Sequence, residues 1–69
     1  MDWHLVETNW AYYKMVAKER WGRISGVELD TIAGHREQLA IKIQAVYGIS
    51  RDAAQMQLES WQGRLRAPG

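Results

Sequence analysis

The side chains able to do chemistry are few and scattered. Two histidines, His4 and His35, lie far apart in the sequence, with no neighbouring set of ligands. A metal site needs three or four converging donors, so each histidine reads as a surface or capping residue. His35 stands beside Arg36 at the start of a helical run, where positive charge is disfavoured. Glu28 and Asp30 are close in sequence but point to different sides of a helix, so they do not form an acid–base pair. Glu28 fits better as the distal half of a capping box opened by Ser25. Glu19 and Arg23 straddle a helix end and read as solvated. Asp52 suits the first turn of a helix, where a carboxylate complements the dipole. Ser25, Ser50 and Ser60 have no base partner in the sequence, and the first two are placed to cap helices. The glycines stand singly rather than in a phosphate-cradling loop. No catalytic residue, cofactor site or metal site is assigned, and the chain is expected not to be an enzyme.

Three tryptophans, Trp10, Trp21 and Trp61, could stack on a ligand, but they fall on apolar stripes and read first as core. Other apolar residues fall off those stripes. At about 100° per residue, Tyr12 and Met15 lie away from the Trp10/Tyr13/Ala17 face. Ile41 points away from Leu39 and Ile43, and Met56 away from Ala54 and Leu58. Single exposed apolar residues are ordinary, whereas several together can form a contact patch. Tyr12, Met15, Ile41 and Met56 are therefore the candidate interaction surface, for self-association or for an unknown protein partner.

The elements that must position these residues are helical. The chain has 69 residues, enough for one domain, and it has no cysteine. Its core must be aromatic and aliphatic, built largely from four Trp and three Tyr. Nine basic and eight acidic side chains leave a net charge of +1. That balance gives no strong nucleic-acid signal, since such modules gather a basic excess on one face. A nucleic-acid-associated helical module stays as the alternative reading, because crossed helical hairpins occur in DNA-binding domains. No transmembrane run is present, and the N-terminus lacks the pattern of a secretory leader. A cytoplasmic location is expected.

Glycines punctuate the chain, and four helical segments are predicted between them. The first runs from about Asn9 to Trp21, capped by a side-chain oxygen of Thr8 or Asn9 and stopped by a left-handed Gly22. The second runs from about Gly26 to Ala33, with Ile24 and Leu29 as a hydrophobic staple and Gly34 as its end. The third runs from about His35 to Tyr47 and closes at Gly48. The fourth runs from about Arg51 to Gln62, with Gly63 as its stop. Residues 1–8 read as an N-terminal extension, and whether Trp3, Leu5 and Val6 fold back on the core stays open. Residues 64–69 are expected to fray.

Two junctions repeat an order: Trp21-Gly22-Arg23-Ile24-Ser25 and Tyr47-Gly48-Ile49-Ser50. The repeat reflects either shared capping chemistry or a pseudo-repeat of two stacked helical hairpins. The same positions carry a family resemblance. Asn9-Trp10, Tyr13, Ala17, Lys18-Glu19, Trp21-Gly22, Ile32, Gly34, Arg36, Gln38-Leu39, Lys42-Ile43-Gln44, Tyr47-Gly48, Asp52, Ala54 and Trp61 together resemble the CsbD-like family, most nearly its YjbJ branch. The match runs without gaps from about Asn9 to Trp61, so residues 9–63 are read as the CsbD-like domain. The resemblance implies an all-α, compact bundle of four short helices packed as two crossing helical hairpins. It also implies a small bacterial protein, of a group often induced by general or envelope stress, with no defined catalytic residue to carry over. Two departures stand out. Lys14-Met15-Val16 replaces a lysine–glycine–lysine stretch, and Ile41-Lys42 replaces a glycine–lysine pair. Both put apolar groups where the family has small or charged ones, which weakens any role needing a basic first helix.

Overall fold

The computed structural model describes residues 2–66. They form five helices: α1 Trp3–Thr8, α2 Trp10–Arg20, α3 Gly26–Ile32, α4 Arg36–Tyr47 and α5 Arg51–Arg64. No strand occurs among the described residues. The expected all-helical class holds, but four segments become five. The additional helix is α1, in the stretch read as an extension. Asp2 Oδ1 caps it by accepting from the His4 N–H at 3.3 Å. Its Val6 is fully buried and Trp3 packs against the core, while Leu5 stays exposed.

The turn from α1 into α2 takes one residue, Asn9, at φ −116° and ψ 35°. The expected cap of α2 is reversed here. Asn9 Nδ2 donates backward to the Leu5 carbonyl at 2.8 Å, and Thr8 Oγ1 donates to the His4 carbonyl at 3.0 Å. Both side chains bond to carbonyls of α1 rather than to the free N–H groups of α2.

Along α2 the stripe falls as predicted, with Trp10, Tyr13 and Ala17 buried and Trp21 following at full burial. Its end differs from expectation. Trp21 is the C-cap at φ −122°, and the left-handed glycines of the described chain are Gly34 and Gly48. Gly22 is thus no left-handed stop. Lys18 does that work by donating its ammonium to the carbonyls of Gly22 at 2.7 Å and Ile24 at 2.9 Å.

The capping box of α3 forms as read: Ser25 Oγ accepts from the Glu28 N–H, and Glu28 Oε1 accepts from the Ser25 N–H, each at 3.1 Å. Ile24 and Leu29, the predicted staple, are both fully buried. The break at Gly34 is real, and it takes two left-handed residues, Ala33 at φ 52° and Gly34 at φ 81°. At Gly48 the helix α4 closes at φ 63°, with the Gly48 N–H donating to the Gln44 carbonyl at 2.9 Å. Ser50 then caps α5. That helix runs through Gly63 to Arg64, so Gly63 is not a stop. A helical glycine costs only about 1 kcal/mol against alanine, and the contacts beyond it hold the end in place. Leu65 packs on the core, and the Tyr13 hydroxyl donates to the Arg66 carbonyl at 2.6 Å. The expected fraying therefore fails for residues 64–66, and residues 67–69 lie outside the described residues.

Helix α4 packs on α5, α2 on α3, α1 on α2 and α3 on α4. The radius of gyration is 11.0 Å, the value of roughly 11 Å expected of a folded chain this long. Trp21 and Trp61 meet at 5.2 Å between ring centroids, and Trp3 reaches Trp61 at 5.9 Å. Indole N–H groups need partners when buried. Trp10 donates to the Leu29 carbonyl, Trp21 to Gln57 Oε1 and Trp3 to the Gly34 carbonyl, all within 2.9 Å. The core reading of Trp10, Trp21 and Trp61 thus holds. The two aromatic junctions touch each other: the Arg23 N–H donates to the Tyr47 hydroxyl at 3.1 Å, and the Arg23 guanidinium sits 5.6 Å from the Tyr47 ring.

Candidate contact surface

Four ion pairs join neighbouring helices among the described residues. Lys14 pairs with Asp30 at 2.6 Å between α2 and α3. Lys42 pairs with Glu28 at 3.0 Å between α4 and α3. Arg51 faces Glu37 at 3.6 Å between α5 and α4. His35, at the N-cap of α4, faces Glu7 of α1 at 3.5 Å. These pairs are partly exposed, so solvent screens them and each adds little to stability. Their effect is to fix register more than to add stability. His35 makes no side-chain bond into its own helix. No three His, Asp or Glu side chains among the described residues are grouped to hold a metal.

Two groups among the described residues have shifted titrations. The Ser25 backbone N–H, followed by the Lys42 ammonium and the Ser25 hydroxyl, holds the Glu28 carboxyl down to about 2, from an ordinary value of 4.5. One oxygen closes the capping box and the other meets Lys42, so the carboxylate joins the start of α3 to α4. Burial pushes the Tyr13 phenol up, and the neighbouring Tyr12 adds to the rise. Both shifts have architectural causes, a helix cap and a packed ring.

The four candidate contact residues are all exposed: Tyr12, Met15, Ile41 and Met56. Tyr12 and Met15 stand one turn apart on α2, with the Tyr12 ring set edge-on to Tyr13 at 5.0 Å. Ile41 lies on α4 and Met56 on α5. The structure does not gather them into one pocket. Ile41 alone of the four lines a shallow groove of about 320 Å³ between α3 and α4. Val27, Thr31, Ile32 and Gln38 line it too, together with the Glu28–Lys42 pair. Val27 is 75% exposed, and sequence reasoning missed it. Its signal was available: it precedes the core residue Leu29 by two positions, about 200° around a helix.

The chain has relatives among known proteins. The chain is 41% identical over 61 residues to a UPF0337 protein of Rhodopseudomonas palustris, covering 88% of this chain and 92% of that one. The chain belongs to the UPF0337, CsbD-like family. This is a family of small bacterial proteins with no established activity. Another UPF0337 protein, YjbJ of Escherichia coli, is 38% identical over 56 residues, 81% of each chain. A UPF0337 protein of Nitrosomonas europaea is 48% identical over 61 residues, and there this chain spans 65% of the relative's length. No family model and no solved structure matches the chain. No helix among the described residues is long and apolar enough to cross a membrane.

Proposed function

We propose that this CsbD-like chain is a non-enzymatic, stress-associated protein of the cytoplasm that acts through surface contacts, with itself or with a protein partner. One observation carries the reading: Tyr12, Met15, Ile41 and Met56 are all exposed on a scaffold whose core is formed by other residues. Polarizable Met and amphipathic Tyr suit contact surfaces. The pairing of α2 with α3 and of α4 with α5 supports a finer architecture, two crossing helical hairpins joined through α3 and α4. In that architecture Ile41 lies at the seam between the hairpins, beside Val27.

Sedimentation of the wild-type chain from micromolar to millimolar concentration tests the reading. Reversible self-association, or a defined complex with a purified partner, is the expected result. A strict monomer that instead shifts DNA, with a steep loss of binding as salt rises, would replace it with the nucleic-acid alternative. Balanced charge stands against that outcome.

A further inference from the structure

Helices α1 and α2 are separated by Asn9 alone. The backbone ladder already runs helically on both sides of it. The Asn9 N–H donates to the Leu5 carbonyl and the Tyr13 N–H donates to the Asn9 carbonyl, both at 3.1 Å. Asn9 itself sits at φ −116° and ψ 35°, against about −63° and −42° in a helix. Rotation at this residue would merge residues 3–20 into one helix about 27 Å long. The N–H groups of Trp10, Ala11 and Tyr12 would then reach the carbonyls of Val6, Glu7 and Thr8. Nothing in the Asn9 side chain opposes this, because its amide bonds to α1 and does not cap α2.

What keeps α1 bent back is the corner between α3 and α4, which is built for it. The Gly34 carbonyl accepts the Trp3 indole N–H at 2.8 Å. A Cβ on Gly34 would stand 3.0 Å from the Glu7 Cα, so any other residue here would push α1 back by a few tenths of an ångström. His35 faces the Glu7 carboxylate at 3.5 Å. The Arg36 guanidinium lies 5.9 Å from the Trp3 ring centroid, and Trp61 packs on the same ring. Every one of these contacts is made to a residue of α1. A second copy's α1 would satisfy them equally well.

We infer that Asn9 is a hinge, and that the α3–α4 corner is an interaction site for the α1 helix of a second copy of this chain, giving a dimer by exchange of α1. Such exchange needs no new interface, because the same contacts form between chains. It does not rest on the exposed patch at Tyr12, Met15, Ile41 and Met56.

The chain has no cysteine, so crosslinking is unambiguous. Full-length Glu7→Cys and His35→Cys chains, mixed at high concentration and treated with a short bifunctional thiol reagent, are expected to give a Glu7→Cys/His35→Cys heterodimer in excess of either homodimer. Adding Asn9→Ala to both chains, which favours helix at the hinge, should raise that fraction. It should also shift the uncrosslinked mass by light scattering from 8.0 kDa toward twice that value. Met15→Lys with Ile41→Lys should leave the crosslink intact, so loss of the patch and loss of the exchange are separable. A mixture giving no cross-chain product, with Asn9→Ala still monomeric at millimolar concentration, overturns the inference. So does a Glu7→Cys/His35→Cys double variant that closes only within one chain under all these conditions.

Discussion

Trp21–Ser25 and Tyr47–Ser50 use the same residue types in the same order, and the structure treats their two ends differently. The serines match closely. Ser25 and Ser50 hold φ near −72° and ψ of 160° and 163°, and each hydroxyl accepts from an N–H three residues on at 3.1 Å. The glycines do not match. Gly48 turns the chain in the left-handed region, whereas Gly22 is spared by Arg23, one extra residue in the connection. Trp21 is fully buried and Tyr47 half-buried, and the Tyr47 hydroxyl accepts from Arg23 in the other junction. Capping is local chemistry and repeats wherever its residues recur. The way a helix ends depends on how many residues must reach the next one and on what lies beneath.

The largest expected break in this comparison is at the aromatic. Trp21→Ala removes a fully buried ring that touches Trp61 and donates to Gln57. A loss of about 3–5 kcal/mol should abolish the cooperative far-UV circular dichroism melt. A sharp, wild-type-like melt would show that Trp21 does not anchor the core. Next in size is the glycine pair. Gly48→Ala forces a Cβ into the left-handed region and should cost about 1–2 kcal/mol. Gly22→Ala should leave the Tm near wild type, because its Cβ would meet only the Lys18 carbonyl at 3.9 Å. Equal effects at the two glycines would contradict the difference drawn between the junctions.

The smallest effect concerns Glu28, which gives the first junction a carboxylate brace that the second lacks. Its folded pKa is depressed to about 2 from 4.5. The stability it contributes is therefore complete above 4.5 and is lost as pH falls through about 2. Between those values the wild-type Tm should drop. Glu28→Gln keeps a capping side chain but no charge, and should flatten that part of the profile. An unchanged slope would show that other carboxylates govern it.

Much of the fold was legible from local pattern. The α2 stripe, the Ser25 and Ser50 caps, the staple and the break at Gly34 follow from spacing and capping chemistry within one or two turns. The parts that were not legible depend on distant contacts. A six-residue helix is marginal alone, and α1 is held by a bond from Trp3 to Gly34, thirty-one residues away in sequence. Asn9 faces backward onto the Leu5 carbonyl, and that partner is invisible until α1 is known to exist. Helix α5 passes Gly63 because Tyr13 and the core hold residues 65 and 66 beyond it. Of the candidate surface, exposure was readable at all four positions. Val27 was readable by the same angular argument and was missed, whereas the groove beside Ile41 was not readable, since it depends on how α3 lies against α4.

The proposed contacts of Tyr12, Met15, Ile41 and Met56 require that the packed core and its caps, and not these exposed residues, hold the molecule together. Substituting Tyr12, Met15, Ile41 and Met56 together by Lys, with mass and melting measured on the same sample, tests it most directly. The prediction is loss of the association made through the patch, with the crosslink between Glu7→Cys and His35→Cys chains retained and a Tm close to wild type. A collapsed melt would place these residues in the fold's own support, and undiminished association would remove them from the contact surface.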